Sequence, residues 1–496
     1  MNVKNKIYLV CLISLWFFCF KNEAYCEEYK LVTGVIHLDS NISGGKLAPD
    51  EVANIAHDAG VEVAIFTDHD TMRWEYGIPP LRKFIRKVVE KGSIHSYGEA
   101  RYIDTINKLN LNHKDMLIMH GAEAIPFYWW KGSYFTKDLV MMDGHKHILV
   151  MGLNDASDYK NLPSIGKGYP KSNKITFETL ISLWPLSFLI LGGLLFSIGK
   201  GGFVVVPLRI AGVICFLLSI IFIANNYPYA SYQYDQYHGD RGIAPYQTVI
   251  DYVNSRGGVT FWAHPEVEDV GKESGGVKLI TSPYYEDLLK AQNYTGFAVF
   301  AEGIKFMAPP GDVWDTILKQ YCEGERERPV WAIGEVDFGD EDTFSIKDSQ
   351  TIFLLKEKNE GTVIEALKTG RMYALHLYSE KSPAIVLDKF VIEDKDGSVT
   401  AYMGEELQTD KNPRIKIRVS LPAKAKDINY KIDIIRSGEV IHRSESTGNA
   451  EMVYEDKYVK PGEKIYYRLD IDGPSRILSN PIFVQFGSPS GNKKGE

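Results

Sequence analysis

Two apolar runs in the middle of the chain limit what it can fold into more than any other feature. Residues 179–199, TLISLWPLSFLILGGLLFSIG, carry no charge, and residues 203–224, FVVVPLRIAGVICFLLSIIFIA, carry only Arg209. Each is about the length needed to cross a hydrocarbon core of roughly 30 Å. Only a short stretch around Lys200 separates them, so residues 178–224 read as a tight transmembrane hairpin, with the lipid bilayer as partner of residues 179–224. A hairpin returns the chain to the side it left, so the parts before and after it share one face of the membrane.

The N-terminus sets which face is expected. Lys4 and Lys6 precede IYLVCLISLWFFCF, fourteen apolar residues, and KNEAYCEE comes next. Residues 1–26 read as a signal peptide or an N-terminal anchor, and either exports the remainder of the chain. The expected location is the cell membrane, with the soluble parts on the extracytoplasmic side. Lysine counting points the other way: Lys167, Lys171 and Lys174 flank the side taken as outside, against Lys200 and Arg209 near the tip. The first signal usually dominates topology. Three of the five cysteines fall in apolar runs, leaving Cys26 and Cys322, so there is no disulfide framework and no CxxC motif. A formal net charge of −8 argues against nucleic acid as a partner.

On both sides of the hairpin the pattern alternates strand and helix. LVTGVIHL, the helix APDEVANIAHDAG with Pro49 suited to its first turn, and VEVAIF make a unit that implies parallel pairing. The pattern resumes with helix YQTVIDYVNSRGG and strand VTFWAHPE, then GFAVFAE and PVWAIGEVD. Residues 27–165 and 235–380 together supply about 270 residues of β/α repeat, the size of a closed TIM-like barrel. From 385 the period changes to two, as in RIKIRVSL and KIYYRLDI, and residues 385–486 read as a β-sandwich. Residues 487–496 read as a disordered tail.

The strand ends carry the chemistry. VIHLD ends with His37 and Asp39, AIFTDHD with Asp68, His69 and Asp70, and MHGAE with Glu123. HKHILV begins with His145 and His147, TFWAHPE ends with His264, and WAIGEVD ends with Glu335 and Asp337. C-terminal strand ends converge on one mouth of a parallel barrel, where active sites lie. Imidazole and carboxylate together suit Zn, Mn or Fe, and a cation offsets such crowding of acids. Alone, each residue also has a structural explanation: Glu335 as a solvent-facing acid, His145 as a neighbour of the ligand, Asp68 as a brace of the turn. The weight lies in the ordered series.

That series resembles the PHP (polymerase and histidinol phosphatase) family of metal-dependent hydrolases, which fold as a distorted seven-stranded β/α barrel. HLDSNISGG stands where the family has His-x-His and Ser-Asp-Gly, Thr67-Asp68-His69 matches TDH, Glu123 matches the glutamate motif, and Ala263-His264-Pro265 matches AHP. His147 matches a further ligand, and Asp337-Phe338-Gly339 the closing Asp-x-His. EALKTGRMYA together with a terminal sandwich also resembles the carbaryl-hydrolase-like branch. Three positions depart from the pattern: Asp39, Gly44 and Gly339 replace His, Asp and His. The resemblance implies loss of a third metal and retention of two divalent ions. His37, Asp39, Glu123 and Asp337 would hold one, and Glu123, His147 and His264 the other, with metal identity open among Mn, Zn and Fe. The implied reaction is hydrolysis of a small-molecule phosphate ester, with Asp68 or His69 protonating the leaving group. An amide, carbamate or other ester is the alternative bond, and a degenerate non-catalytic binding or sensory module the alternative class.

Overall fold

β1 (Lys30–Leu38) and β2 (Val63–Phe66) pair in parallel and are joined by α1 (Pro49–Asp58). In this computed structural model α1 begins as the sequence requires, with Pro49 in its first turn and the Glu51 carboxylate accepting from Ala48 N at 2.7 Å. Its Val52, Ala53 and Ala56 form the buried face. The structure describes residues 29–169, 177–198, 205–226, 233–274, 277–300, 302–340, 345–394, 396–397 and 399–487. The expected signal or anchor (1–26) and, but for Gly487, the expected tail lie outside the described residues.

The sheet extends through β3 (Leu117–Ala124), β4 (Ile148–Met151), β5 (Val259–Trp262), β6 (Gly296–Ala298) and β7 (Trp331–Ile333) on one side of β1. On the other side lie β8 (Ser349–Leu355) and β9 (Met372–Leu377). Two expectations need correction. The sheet is not a closed barrel: its order is β7-β6-β5-β4-β3-β2-β1-β8-β9, open at β7. Beyond β7 the chain returns to the end of β1 through a few isolated backbone bonds, Val336 N to Ile36 O at 3.1 Å, Phe338 N to His37 O at 2.9 Å and Asp39 N to Phe338 O at 2.9 Å. The positive φ of Asp337 (49°) and His37 (75°) interrupts a regular ladder there. Nor are the strands all parallel, since β4 runs antiparallel to both β3 and β5.

Strands β8 and β9 are buried on both faces, and their alternation divides them between two cores. Phe353, Leu355, Met372 and Ala374 join the α/β core. Ile352, Leu354, Tyr373 and Leu375 join a second core with Ile415, Ile417, Ile432 and Ile434. The large sheet therefore continues through β9 into strands at Ser475–Ser479, Lys464–Asp472 and Asn429–Arg436. A four-stranded sheet of Val386–Glu393, Thr400–Tyr402, Arg414–Ser420 and Ala450–Glu455 contributes Leu387, Ile392, Ala401 and Val419 to that second core. The period-two stretches are thus strands, but they divide between two sheets: KIYYRLDI lies in the sheet shared with the α/β part and RIKIRVSL in the four-stranded sheet that faces it.

The apolar runs form helices at Phe177–Ser182, Leu186–Ile198 and Val205–Asn226, the first two separated by a turn at Pro185. Two stretches, Thr179–Ile198 and Val206–Asn226, are long and apolar enough to cross a membrane. They are not core helices of the sheet: Ile190, Phe196, Ile210, Leu217 and Ile220 are each at least 40% exposed. Gly192 and Gly212 let the pair approach closely, since a Cβ on Gly192 would lie 3.1 Å from Gly212 O.

Candidate metal centre

Every singled-out strand end meets at one end of the sheet. β1, β2, β3 and β5 deliver His37, His69, Glu123 and His264 at or just beyond their C-terminal ends. Because β4 is antiparallel, its beginning lies at that same end, which is why His147 precedes its strand while the others close theirs. Three of these residues, His37, His264 (φ 28°) and Asp337, hold a positive φ that costs on the order of 1–3 kcal/mol each. Such strain, at side chains that all face one centre, is typical of functional sites.

Glu123 lies at the middle of the group and is 2% exposed. Its Oε2 is 3.1 Å from His37 Nε2 and 3.0 Å from His69 Nδ1. Its Oε1 is 2.5 Å from His147 Nδ1 and 3.3 Å from His264 Nε2. Asp337 Oδ1 approaches His37 Nε2 at 3.6 Å. Donor atoms of His37, Asp39 and Asp337 lie within 4.8 Å of one another, as do those of His69, Glu123 and His147, and those of His145, His147 and His264.

The electrostatics fit a site built for positive charge. Burial opposes ionisation of Glu123, yet His69, His147 and His37 hold its carboxyl well below the usual range. Burial likewise opposes charge on His264, but the carboxylates of Glu123, Glu335 and Asp337 push it up to about 9. His37 is raised well above its usual value against the same burial penalty, by Glu123, Asp337 and Glu335. Asp39 is raised by burial and then by the neighbouring Glu123. A divalent cation would take over the role of these protons.

The donor set fits a metal. His37 Nε2 and His69 Nδ1 are buried and make no hydrogen bond, although both lie about 3 Å from a carboxylate oxygen. An imidazole nitrogen aimed at such a centre without hydrogen-bond geometry has a lone pair available for a cation. Glu335 bonds His37 Nδ1 on the far side of the ring and so sets its tautomer and orientation.

The two residues expected to protonate the leaving group, Asp68 and His69, make different contacts. Asp68 is fully buried and turned to the loop after β1. Its Oδ1 accepts from Ser40 N at 2.9 Å, Ser40 Oγ at 2.9 Å and Ser43 Oγ at 2.7 Å. These bonds tie it to the loop that carries Gly44. His69, expected in the same role, points its Nδ1 at Glu123 and stands among the candidate ligands. Gly44 faces this group: a Cβ there would lie 3.3 Å from Asp39 Oδ2 and 3.5 Å from His69 Cδ2. The glycine therefore leaves this flank without a side chain.

Two residues were undervalued from sequence. Glu335, read as a solvent-facing acid, is 2% exposed and also accepts from His264 N at 3.3 Å. Its signal was its place two residues before Asp337. His145, read as a neighbour of the ligand, packs against the group: its ring lies 4.9 Å from that of His264 and 5.0 Å from that of His147, and Asp269 Oδ2 holds its Nδ1 at 2.7 Å.

No family model and no curated protein matches this chain. Among solved structures it is similar to a two-domain protein from Bacteroides vulgatus containing a predicted PHP-like metal-dependent phosphoesterase. That match has 12% identity and a TM-score of 0.31 and covers 89% of this chain and 90% of the other. It is also similar to a candidate metal-dependent phosphoesterase from Bifidobacterium adolescentis, at 14% identity and a TM-score of 0.27, covering 63% of this chain and 90% of the other. An amidohydrolase from Chromobacterium violaceum with bound sulfate and no metal matches at 15% identity and a TM-score of 0.25, covering 63% and 89%. Likeness at these scores does not establish a shared fold, and the chemistry proposed for this chain comes from its own residues.

Proposed function

We propose that the protein is a PHP-type metal-dependent hydrolase, specifically a phosphoesterase, anchored in a membrane by its apolar helical pair and exposed on the extracytoplasmic side. The observation that carries this reading is the convergence of four imidazoles on the buried Glu123 carboxylate, two of them through nitrogens with no hydrogen bond. His37, Asp39 and Asp337 with Glu123 form one cation position. His147 and His264 with Glu123 form the other, with His69 and His145 at its margins. Held there, two divalent ions, Mn, Zn or Fe, would supply activated water and would offset charge on the ester oxygens.

The chain's own residues do the rest. Glu123 would serve both positions, since its Oε2 lies beside His37 and His69 and its Oε1 beside His147 and His264. Glu335 orients His37, and Asp68 with Ser40 and Ser43 keeps the loop around Gly44 open beside Asp39. Asp39 brings an oxygen donor where the resembled family has imidazole, which favours a harder ion such as Mn.

The test uses full-length protein in detergent, loaded with Mn or Zn. Metal content is measured alongside turnover of model phosphomonoesters, phosphodiesters, aryl esters and carbamates. Two ions per chain and phosphoester hydrolysis are expected, both lost in Glu123→Gln and turnover lost in His264→Ala. Absence of bound metal, or hydrolysis confined to carboxylic esters or carbamates, rules the assignment out.

A further inference from the structure

The helical pair joins the rest of the molecule at the end of the sheet that carries the metal centre. Before the helices, Ile165 N and Tyr169 Oη both donate to Pro126 O, at 3.0 and 2.6 Å, and Lys167 Nζ donates to Asp70 Oδ1 at 2.6 Å. After them, Gln236 O accepts from Trp130 N at 2.8 Å and Tyr237 Oη accepts from Gly77 N at 2.8 Å. Asp70 and Gly77 come after β2, while Pro126 and Trp130 come after β3, so all four lie beyond the strand ends that supply His69 and Glu123.

A two-stranded ribbon, Arg73–Gly77 paired with Arg86–Glu90, rises from the same end. Its sequence, RWEYGIPPLRKFIRKVVEK, places six Lys and Arg against two Glu within residues 73–91 of a chain whose net charge is −8. Its tip is pinned to the last turn of the second apolar helix. Asn225 Oδ1 accepts from Lys83 N at 3.1 Å, and Asn225 Nδ2 donates to Pro80 O at 3.2 Å. Beside that contact Phe84 is 57% and Ile85 50% exposed. Apolar side chains among cations, level with the end of a membrane-length helix, suit the interface between headgroup and acyl chain.

Against the ribbon, where the chain enters and leaves the apolar helices, lies a cavity of about 330 Å³ lined by Arg73, Lys83, Arg86 and Lys167, with Glu75 and Asp235 as its acids. Glu75 holds Arg73 at 2.7 Å and Arg86 at 2.9 Å. Lys167 reaches from this cavity to Asp70, whose backbone N donates to Glu123 O at 2.8 Å. The volume is that of a small-ligand site and its lining carries a cationic excess.

We propose that the metal centre opens toward the bilayer and that its substrate is a membrane lipid with an anionic phosphate headgroup, gripped by this cationic cavity; this rests on the phosphoesterase reading of the site. Hydrolysis consumes one water: a P–O ester bond breaks, phosphorus gains the water oxygen, and the leaving alcohol takes a proton.

The experiment reconstitutes the metal-loaded full chain in phosphatidylcholine vesicles containing phosphatidic acid or phosphatidylglycerol. Lipid turnover is compared with that of p-nitrophenyl phosphate and bis(p-nitrophenyl) phosphate. In the variant Phe84→Ser/Ile85→Ser/Lys87→Glu the ratio of lipid to soluble turnover should fall at least tenfold, since each basic residue at a lipid surface is worth roughly fivefold in binding. An unchanged ratio, or hydrolysis of soluble esters with none of lipid, overturns the inference alone. Hydrolysis of neither overturns the phosphoesterase reading beneath it. Orientation is read without catalysis: amide exchange across residues 78–90 should slow in vesicles containing phosphatidylglycerol relative to pure phosphatidylcholine, and equal exchange refutes it.

Discussion

Replacing Asp68 by Asn separates a brace from a general acid. Burial lifts the Asp68 carboxyl from 3.8 to about 6, against the lowering effect of hydrogen bonds from Ser43 and Ser40. At 1.36 kcal/mol for each tenfold change in proton affinity, that difference is about 3 kcal/mol. The folded-state pKa lies above the unfolded one, so the native state binds more protons between these values. This group's contribution is complete below about 3.8 and lost as pH rises through about 6. Asn imitates the neutral carboxyl and does not titrate. In metal-free protein, the stability of Asp68→Asn relative to wild type should therefore rise by up to about 3 kcal/mol between about pH 4 and pH 7. Thermal unfolding in detergent, compared pairwise at each pH, measures it. With metal restored, turnover of a soluble phosphodiester should change by only a few fold. A general acid contributes about 10²–10⁴-fold. A loss in that range, with disappearance of one limb of the pH–rate profile and no pH-dependent gain in stability, would return Asp68 to the role of proton donor.

The packing leads to three more expected outcomes. Glu335→Gln should weaken metal binding at the His37 position about 10–100-fold, read by competition with a chelator, because the carboxylate orients the His37 ring from behind. His120 is lowered to about 4 by burial, so the native state resists its protonation. Its penalty is absent above about 6.5 and grows as pH falls toward 4, reaching about 3 kcal/mol, and His120→Gln should flatten that part of the stability profile. Arg468 and Asp315 form a fully buried pair at 2.6 Å, with Tyr466 Oη on Asp315 Oδ1 at 2.8 Å. Arg468→Met should cost about 3–5 kcal/mol in thermal unfolding, and adding Asp315→Leu should recover most of it.

The ligand types were legible because metal chemistry restricts them to a few side chains, and a strand that ends in such residues stands out against its apolar body. His37, Glu123, His147 and His264 could be picked out that way. Glu335 could not, because a carboxylate two residues before Asp337 reads equally as surface or as support, and only its bond to His37 decides. The contacts of Asp68 were equally hidden, because Ser40 and Ser43, which bond its oxygens, lie 28 and 25 residues away.

By itself the sequence determined the local terms: which segments are strand or helix, which two runs are apolar enough for a bilayer, and which residues can bind a cation. These depend on periodicity, length and side-chain chemistry within a few residues. Tertiary structure alone decided that β4 runs antiparallel, that the sheet stays open at β7 and continues into the second core, and that the segments flanking the apolar helices pack at the end of the sheet where the candidate ligands meet. Those are pairings between residues far apart in the chain, and strand direction and order leave no trace in the alternation of any single strand.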